Sequence, residues 1–121
     1  MPRSRAWTIV AGLSGLVGVM AAAAAAHGIA DPHLAKTTET AAWLQLVHAA
    51  VLLWLTTADS RALRWARGLM LLGTVLFCGT LYLKAFGIGA AISGVVPVGG
   101  TSVMLAWLMI ALDGGLRRGG D

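Results

Sequence analysis

The chain has 121 residues, 58% of them apolar and 12% charged, with a mean hydropathy of +0.80. Soluble domains run about 45–50% apolar and about 25% charged, so that class is excluded. The net charge of +4 invites a nucleic-acid partner, but the basic residues flank apolar runs instead of lining one face of a soluble domain, and nucleic acid is excluded as well.

Four apolar runs follow in chain order, at about 6–26, 41–58, 68–86 and 92–112. Each approaches the ~20 residues that a helix needs to cross ~30 Å of hydrocarbon. The runs are unbroken where a β-barrel strand would alternate, and they lack the polar stripe of a water-soluble bundle. The prediction is an all-α membrane protein, one domain over residues 1–121, folded as a four-transmembrane-helix bundle.

The first run follows Arg3 and Arg5 and has no charge from Ile9 to Ala26. Gly12, Gly15 and Gly18, with Ser14 and Gly18 at small-xxx-small spacing, predict a tightly packed inner helix. Arg3, Arg5 and Ala24-Ala25-Ala26 also imitate a cleavable signal peptide, but the run exceeds the about 7–15 apolar residues of such a segment, so a retained span is expected. His27–Thr40 is read as the outer loop; it is the longest polar segment and is nearly neutral, with Asp31 and Glu39 against Lys36. The second run carries Gln45 and His48, three apart and hence on one helix face.

The connection Asp59–Arg67 holds Arg61, Arg64 and Arg67, and Asp59 and Ser60 are suited to cap the third helix. That helix contains the lone cysteine, Cys78, which excludes an internal disulfide and a cysteine-based metal site. Tyr82 and Lys84 lie near its end. At the start of the fourth run, Gly94–Gly100 contains Pro97, which either breaks a helix at depth, as in transporter sites, or begins one at the interface with proline in its first turn. The second is expected. Arg117 and Arg118 follow the run, so seven of the nine Lys/Arg residues share one side and both termini are expected to be cytoplasmic. The expected address is a bacterial cytoplasmic (inner) membrane, with several passes.

On this topology the polar groups gather in the outer half: His27, Gln45, His48, Tyr82, Lys84, Pro97, Gly99, Gly100 and Thr101. In the inner half Thr56, Thr57 and Thr74 are expected to bond to their own helices. Ionisable groups within a membrane are functional candidates by default. His48 is read as a proton acceptor, a metal or haem ligand, or a neutral imidazole bonded to Gln45, Tyr82 or a free carbonyl. Lys84 can snorkel to the interface, and Tyr82, Trp7, Trp43 and Trp65 suit an aromatic belt. No carboxylate lies inside a predicted span, no Ser–His motif is present, and His27, His33 and His48 match no metal spacing. No catalytic residue, metal or cofactor is therefore expected, and the chain is not read as an enzyme.

Taken in order, these positions resemble the YgdD-like family of small four-span membrane proteins, which has a mitochondrial transmembrane relative in animals. Ala25-Ala26-His27-Gly28-Ile29 is similar to the family's Gly-Ala-His-Gly-Leu, and Thr40-Ala41, Gln45 and His48-Ala49 follow its second-span pattern. Leu76-Phe77-Cys78-Gly79-Thr80-Leu81-Tyr82 resembles its third-span signature, and Pro97-Val98-Gly99-Gly100 with Ala106-Trp107 its fourth. Departures are Ala24 and Ala25 for a usual Phe-Gly, Leu44 for a usual tyrosine, and Ala106 for glycine. The resemblance runs from about Gly12 to Leu112 and implies four spans, an uncleaved first helix and no established activity. The expected role is a non-enzymatic membrane protein acting through helix packing with membrane lipid, with itself as a homo-oligomer, or with a larger membrane complex. The alternative is a small carrier or conduit for a proton, ion or lipophilic solute, built on the polar layer.

Overall fold

The computed structural model describes residues 3–88 and 94–117. Its helices are α1 (Arg5–His27), α2 (Pro32–Trp54, extended by a 3₁₀ turn over Leu55–Thr57), α3 (Arg61–Ala85) and α4 (Val95–Leu116). All four are long and apolar enough to cross a membrane. Arg118 and the expected first residues of the fourth span, Ile92 and Ser93, lie outside the described residues.

α2 begins nine residues before the apolar run at Ala41, so most of the expected His27–Thr40 loop is helical. The cause is local. The Asp31 carboxylate accepts from the backbone N–H of His33 at 2.8 Å and of Leu34 at 3.2 Å, and Pro32 occupies the first helical position, a strong start signal. Thr37 and Thr40 donate to carbonyls one turn back, and Lys36 pairs with Glu39, so the polar turns sustain themselves beyond the hydrocarbon. At α3 Ser60 caps as expected, accepting from Leu63 N–H at 3.1 Å. Asp59 does not cap; it pairs with Arg117. α3 closes on Gly87, whose φ of 79° is the left-handed conformation that glycine adopts freely. Pro97 is the third residue of α4, so it starts the helix and does not break it, in a turn whose N–H groups lack helical partners anyway.

The helices pack in chain order, α1 on α2, α2 on α3 and α3 on α4, so α2 and α3 form the central pair. α1 is thus a flanking helix and not the inner one expected: only Ala11 and Gly18 are buried along it. Its small residues still serve one contact, since a methyl group on Gly18 would approach Leu46 Cγ to 2.9 Å. The closest crossing joins α3 to α4. A methyl on Gly73 would lie 2.6 Å from the Gly99 carbonyl oxygen, and one on Gly99 would lie 2.6 Å from Phe77 N. The core is Ala11, Leu52, Leu55, Leu63, Ala66, Met70 and Ala106, concentrated in the half nearer the arginines.

Candidate functional site

Away from that core, α2 ties the bundle together through two polar residues that face different neighbours. The Gln45 amide donates to the Ser14 carbonyl of α1 at 2.9 Å, and its oxygen accepts from the Tyr82 hydroxyl of α3 at 2.5 Å. His48, one turn on, has Nδ1 2.6 Å from the Leu44 carbonyl and Nε2 3.2 Å from the Trp107 indole Nε1 of α4. A carbonyl only accepts and an indole N–H only donates. Nδ1 therefore carries the proton, Nε2 offers its lone pair, and the ring is the neutral tautomer. The two rings meet edge-on, with centroids 6.0 Å apart and planes at 70°. Both imidazole nitrogens are occupied, so His48 meets a metal or haem only by releasing Trp107. Among the described residues no group of three His, Cys, Asp or Glu is placed to hold a metal.

Helix rise places His48 and Trp107 well inside their helices, whereas Tyr82 stands three residues, about 5 Å, from the end of α3. His48 stands nine residues, about 14 Å, from Thr57, and Trp107 the same distance from Leu116. Two clefts open beside these polar groups. One, about 230 Å³, lies among α2, α3 and α4 and is lined by His48, Thr74, Phe77, Cys78, Gly100 and Met104. The other, about 340 Å³, lies among α1, α2 and α3 and is lined by Ser14, Gln45, Thr74, Tyr82 and apolar side chains. Thr74 borders both, and its buried hydroxyl has no partner among the described residues. Thr56 and Thr57 bond to their own helix as expected, at 2.7 and 3.2 Å; Thr74 does not. The Cys78 thiol, also buried, donates to the Ala41 carbonyl at 3.3 Å.

Of the expected polar layer, the structure joins Gln45 to Tyr82 and places His48 and Gly100 on one cleft. Buried Gly99 serves the α3–α4 crossing, and exposed Thr101 donates to the Pro97 carbonyl of its own helix. His27 is exposed at the end of α1 and Lys84 half-buried near the end of α3; neither lines these clefts. Trp107 was not among the expected site residues. Its signal was depth: a mid-span indole needs an acceptor for its N–H.

A second polar centre lies at the arginine end, where little was expected. Asp113 is a buried carboxylate inside α4, just past the predicted span. It accepts from the Ser60 hydroxyl at 2.5 Å and from Arg117 Nε at 2.8 Å, while Arg117 also pairs with Asp59. The Arg117 guanidinium holds the Asp59 carboxyl below the usual carboxylate range, against a smaller opposing effect of burial. The network binds the α2–α3 connection to the end of α4.

The chain matches the family model described as "Protein of unknown function (DUF423)" over residues 21–100. It is 34% identical over 110 residues to a UPF0382 membrane protein of Haemophilus influenzae, covering 86% of this chain and 88% of the relative. It is 32% identical over 121 residues to the UPF0382 inner membrane protein YgdD of Escherichia coli, covering 94% and 92%. A UPF0382 membrane protein of Schizosaccharomyces pombe is 32% identical over 111 residues, covering 81% and 92%. No solved structure matches. Four apolar helices and these relatives make the chain a multi-pass membrane protein of the bacterial inner-membrane type. It belongs to the DUF423 family, whose function is unknown.

Proposed function

We propose that this protein is a non-enzymatic membrane component, acting through helix packing with itself, with lipid or with a larger membrane complex, its arginine end facing the cytoplasm. The observation that carries this role is how the polar groups between the helices are used. Gln45, Tyr82, His48 and Trp107 pair with one another, with Ser14 or with a backbone carbonyl, which leaves them as ties between helices. Meanwhile α1 and α4 turn large apolar side chains outward, among them Leu13, Leu16, Met20, Met104, Leu108 and Leu112. Native mass spectrometry of the chain purified in mild detergent tests the role. The expected result is a homo-oligomer or a stoichiometric protein partner, retained in His48→Asn. A bare monomer that moves a solute in proteoliposomes, with that activity lost in His48→Asn, would refute it.

That outcome is the second reading, a small carrier of a lipophilic solute. What favours it is the unbonded Thr74 hydroxyl beside a cleft of about 230 Å³. A dry cavity of about 150 Å³ already accepts benzene. The orientation is tested separately: with cysteines placed singly, Lys36→Cys should react with an impermeant thiol reagent from outside and Arg64→Cys should not. The reverse pattern would overturn the topology.

A further inference from the structure

Among the described residues, the arginine end carries more positive charge than its carboxylates neutralise. Arg3 and Arg5 lead into α1, and Arg61, Arg64 and Arg67 lie in the first turns of α3. Among the described residues, the carboxylates at that end are Asp59 and Asp113, and both are engaged by Arg117. Arg67 is half-buried, six residues or about 9 Å of helix rise inside the start of α3. Its guanidinium carbon lies 4.5 Å from the centroid of the Trp7 ring on α1. Its buried Nε has no acceptor among the described residues. The indole face orients the guanidinium but supplies no anionic oxygen. Among the described residues, Arg64, one turn nearer the helix start, donates only to the Asp59 carbonyl, at 3.3 Å. α1 and α3 both begin at this end, so two helix N-termini add their positive dipole ends to the same field.

An apolar slot lies beneath this charge. The cleft of about 340 Å³ among α1, α2 and α3 is walled by Val10 and Leu13 of α1 and by Leu71 and Val75 of α3. Val10 stands three residues deeper than Trp7, and Leu71 four deeper than Arg67, so the cleft begins about one turn below the stacked pair. A fixed cation one turn above an apolar cleft complements one molecule with an anionic head and a hydrocarbon tail.

We propose that Arg67, held on Trp7 and assisted by Arg64, binds the phosphate of an anionic phospholipid whose acyl chain enters the α1–α3 cleft. The guanidinium N–H groups donate to phosphate oxygens, and no covalent step is involved. This names a lipid among the partners above, and its test reads headgroup chemistry, so its failure leaves self-association and assembly untouched.

The test is native mass spectrometry of the full chain in mild detergent, with added phosphatidylglycerol, phosphatidylethanolamine of the same chains, or inorganic phosphate. One phosphatidylglycerol per chain should be retained, at least roughly fivefold better than phosphatidylethanolamine. Arg67→Gln should erase that preference, and Val75→Trp, which fills the cleft, should lower retention of both lipids. Lys84→Gln, far from the site, should change neither. Should Arg67→Gln fail to keep its helical circular dichroism, Arg64→Gln reads the same preference through an exposed side chain. An unchanged lipid ratio in the folded arginine variant overturns the proposal. Displacement of the lipid by millimolar inorganic phosphate also overturns it, by making the site one for free anions.

Discussion

Gly99→Ala tests whether the α3–α4 crossing holds the bundle together. The added methyl would lie 2.6 Å from Phe77 N, 2.9 Å from the Gly73 carbonyl oxygen and 3.0 Å from Leu76 Cβ. Ordinary contacts begin near 3.4 Å, and two of these three neighbours are backbone, which no rotamer change can move aside. The helices must separate by several tenths of an ångström, and a gap of that order forfeits roughly a quarter to a half of each dispersion contact along the seam. Overpacking of this kind costs about 1–3 kcal/mol, and with backbone on both sides we expect the upper end, about 3 kcal/mol. Alanine recovers up to about 1 kcal/mol of helix propensity, for a net loss of about 2 kcal/mol. Gly100→Ala supplies the control on the neighbouring residue. Its methyl meets only Phe77 Cδ2, at 3.8 Å, so it should be neutral or up to about 1 kcal/mol stabilising. Unfolding in mixed detergent–SDS micelles, followed by far-ultraviolet circular dichroism, measures both. Equal stabilities, within about 0.5 kcal/mol, would show that the crossing is not the constraint described.

Three further outcomes follow from the same packing. Thr74→Val keeps the shape and removes an unbonded buried hydroxyl, so it should stabilise the protein by about 1 kcal/mol in the same unfolding assay; a loss would reveal a partner for that hydroxyl. Gln45→Leu and Tyr82→Phe should couple by about 0.6 kcal/mol, the usual size for a hydrogen bond between membrane helices, and additive effects would deny the bond. The Asp59–Arg117 pair lowers the folded pKa of a carboxylate, so its stabilising effect is complete above the unfolded value of about 3.9 and fades only as the pH falls below it. Asp59→Asn should therefore alter the acid limb of the stability profile below about pH 4 and leave pH 5–8 flat; a change centred near neutrality would refute the assignment.

What could be read from the residues was what hydropathy and local backbone chemistry decide. Four unbroken apolar runs gave the number of spans, Ser60 announced the start of α3, and Pro97 fell in a first turn where its missing N–H matters least. The start of α2 was misplaced because hydropathy marks where hydrocarbon ends, while a helix ends where its backbone loses partners. Asp31 and Pro32 carried that second signal among residues too polar for the first. The position of α1 was misjudged for another reason: glycine and alanine permit close approach without requiring it, and only Gly18 uses that freedom closely, against Leu46. Asp113 escaped notice because the apolar run ends at Leu112: its pairing with Arg117 is a local i,i+4 contact, but Ser60 is brought to it by the fold from 53 positions away in the chain.

The placement of Gln45 and His48 has a mechanical consequence. Three residues apart on α2, they would be expected to serve one neighbour, yet Gln45 reaches α1 and α3 while His48 reaches α4. Hydrocarbon offers no water to replace a lost partner, so each bond must be kept or exchanged for another within the protein. The His48–Trp107 bond ties α4 to α2 beside the cleft lined by Thr74, Phe77 and Met104. The Gln45 bonds tie α1 and α3 to α2 beside the cleft beneath Arg67. Each cleft is thus bordered by its own bond between helices, while both flanking helices share the core at the arginine end through Ala11 and Ala106.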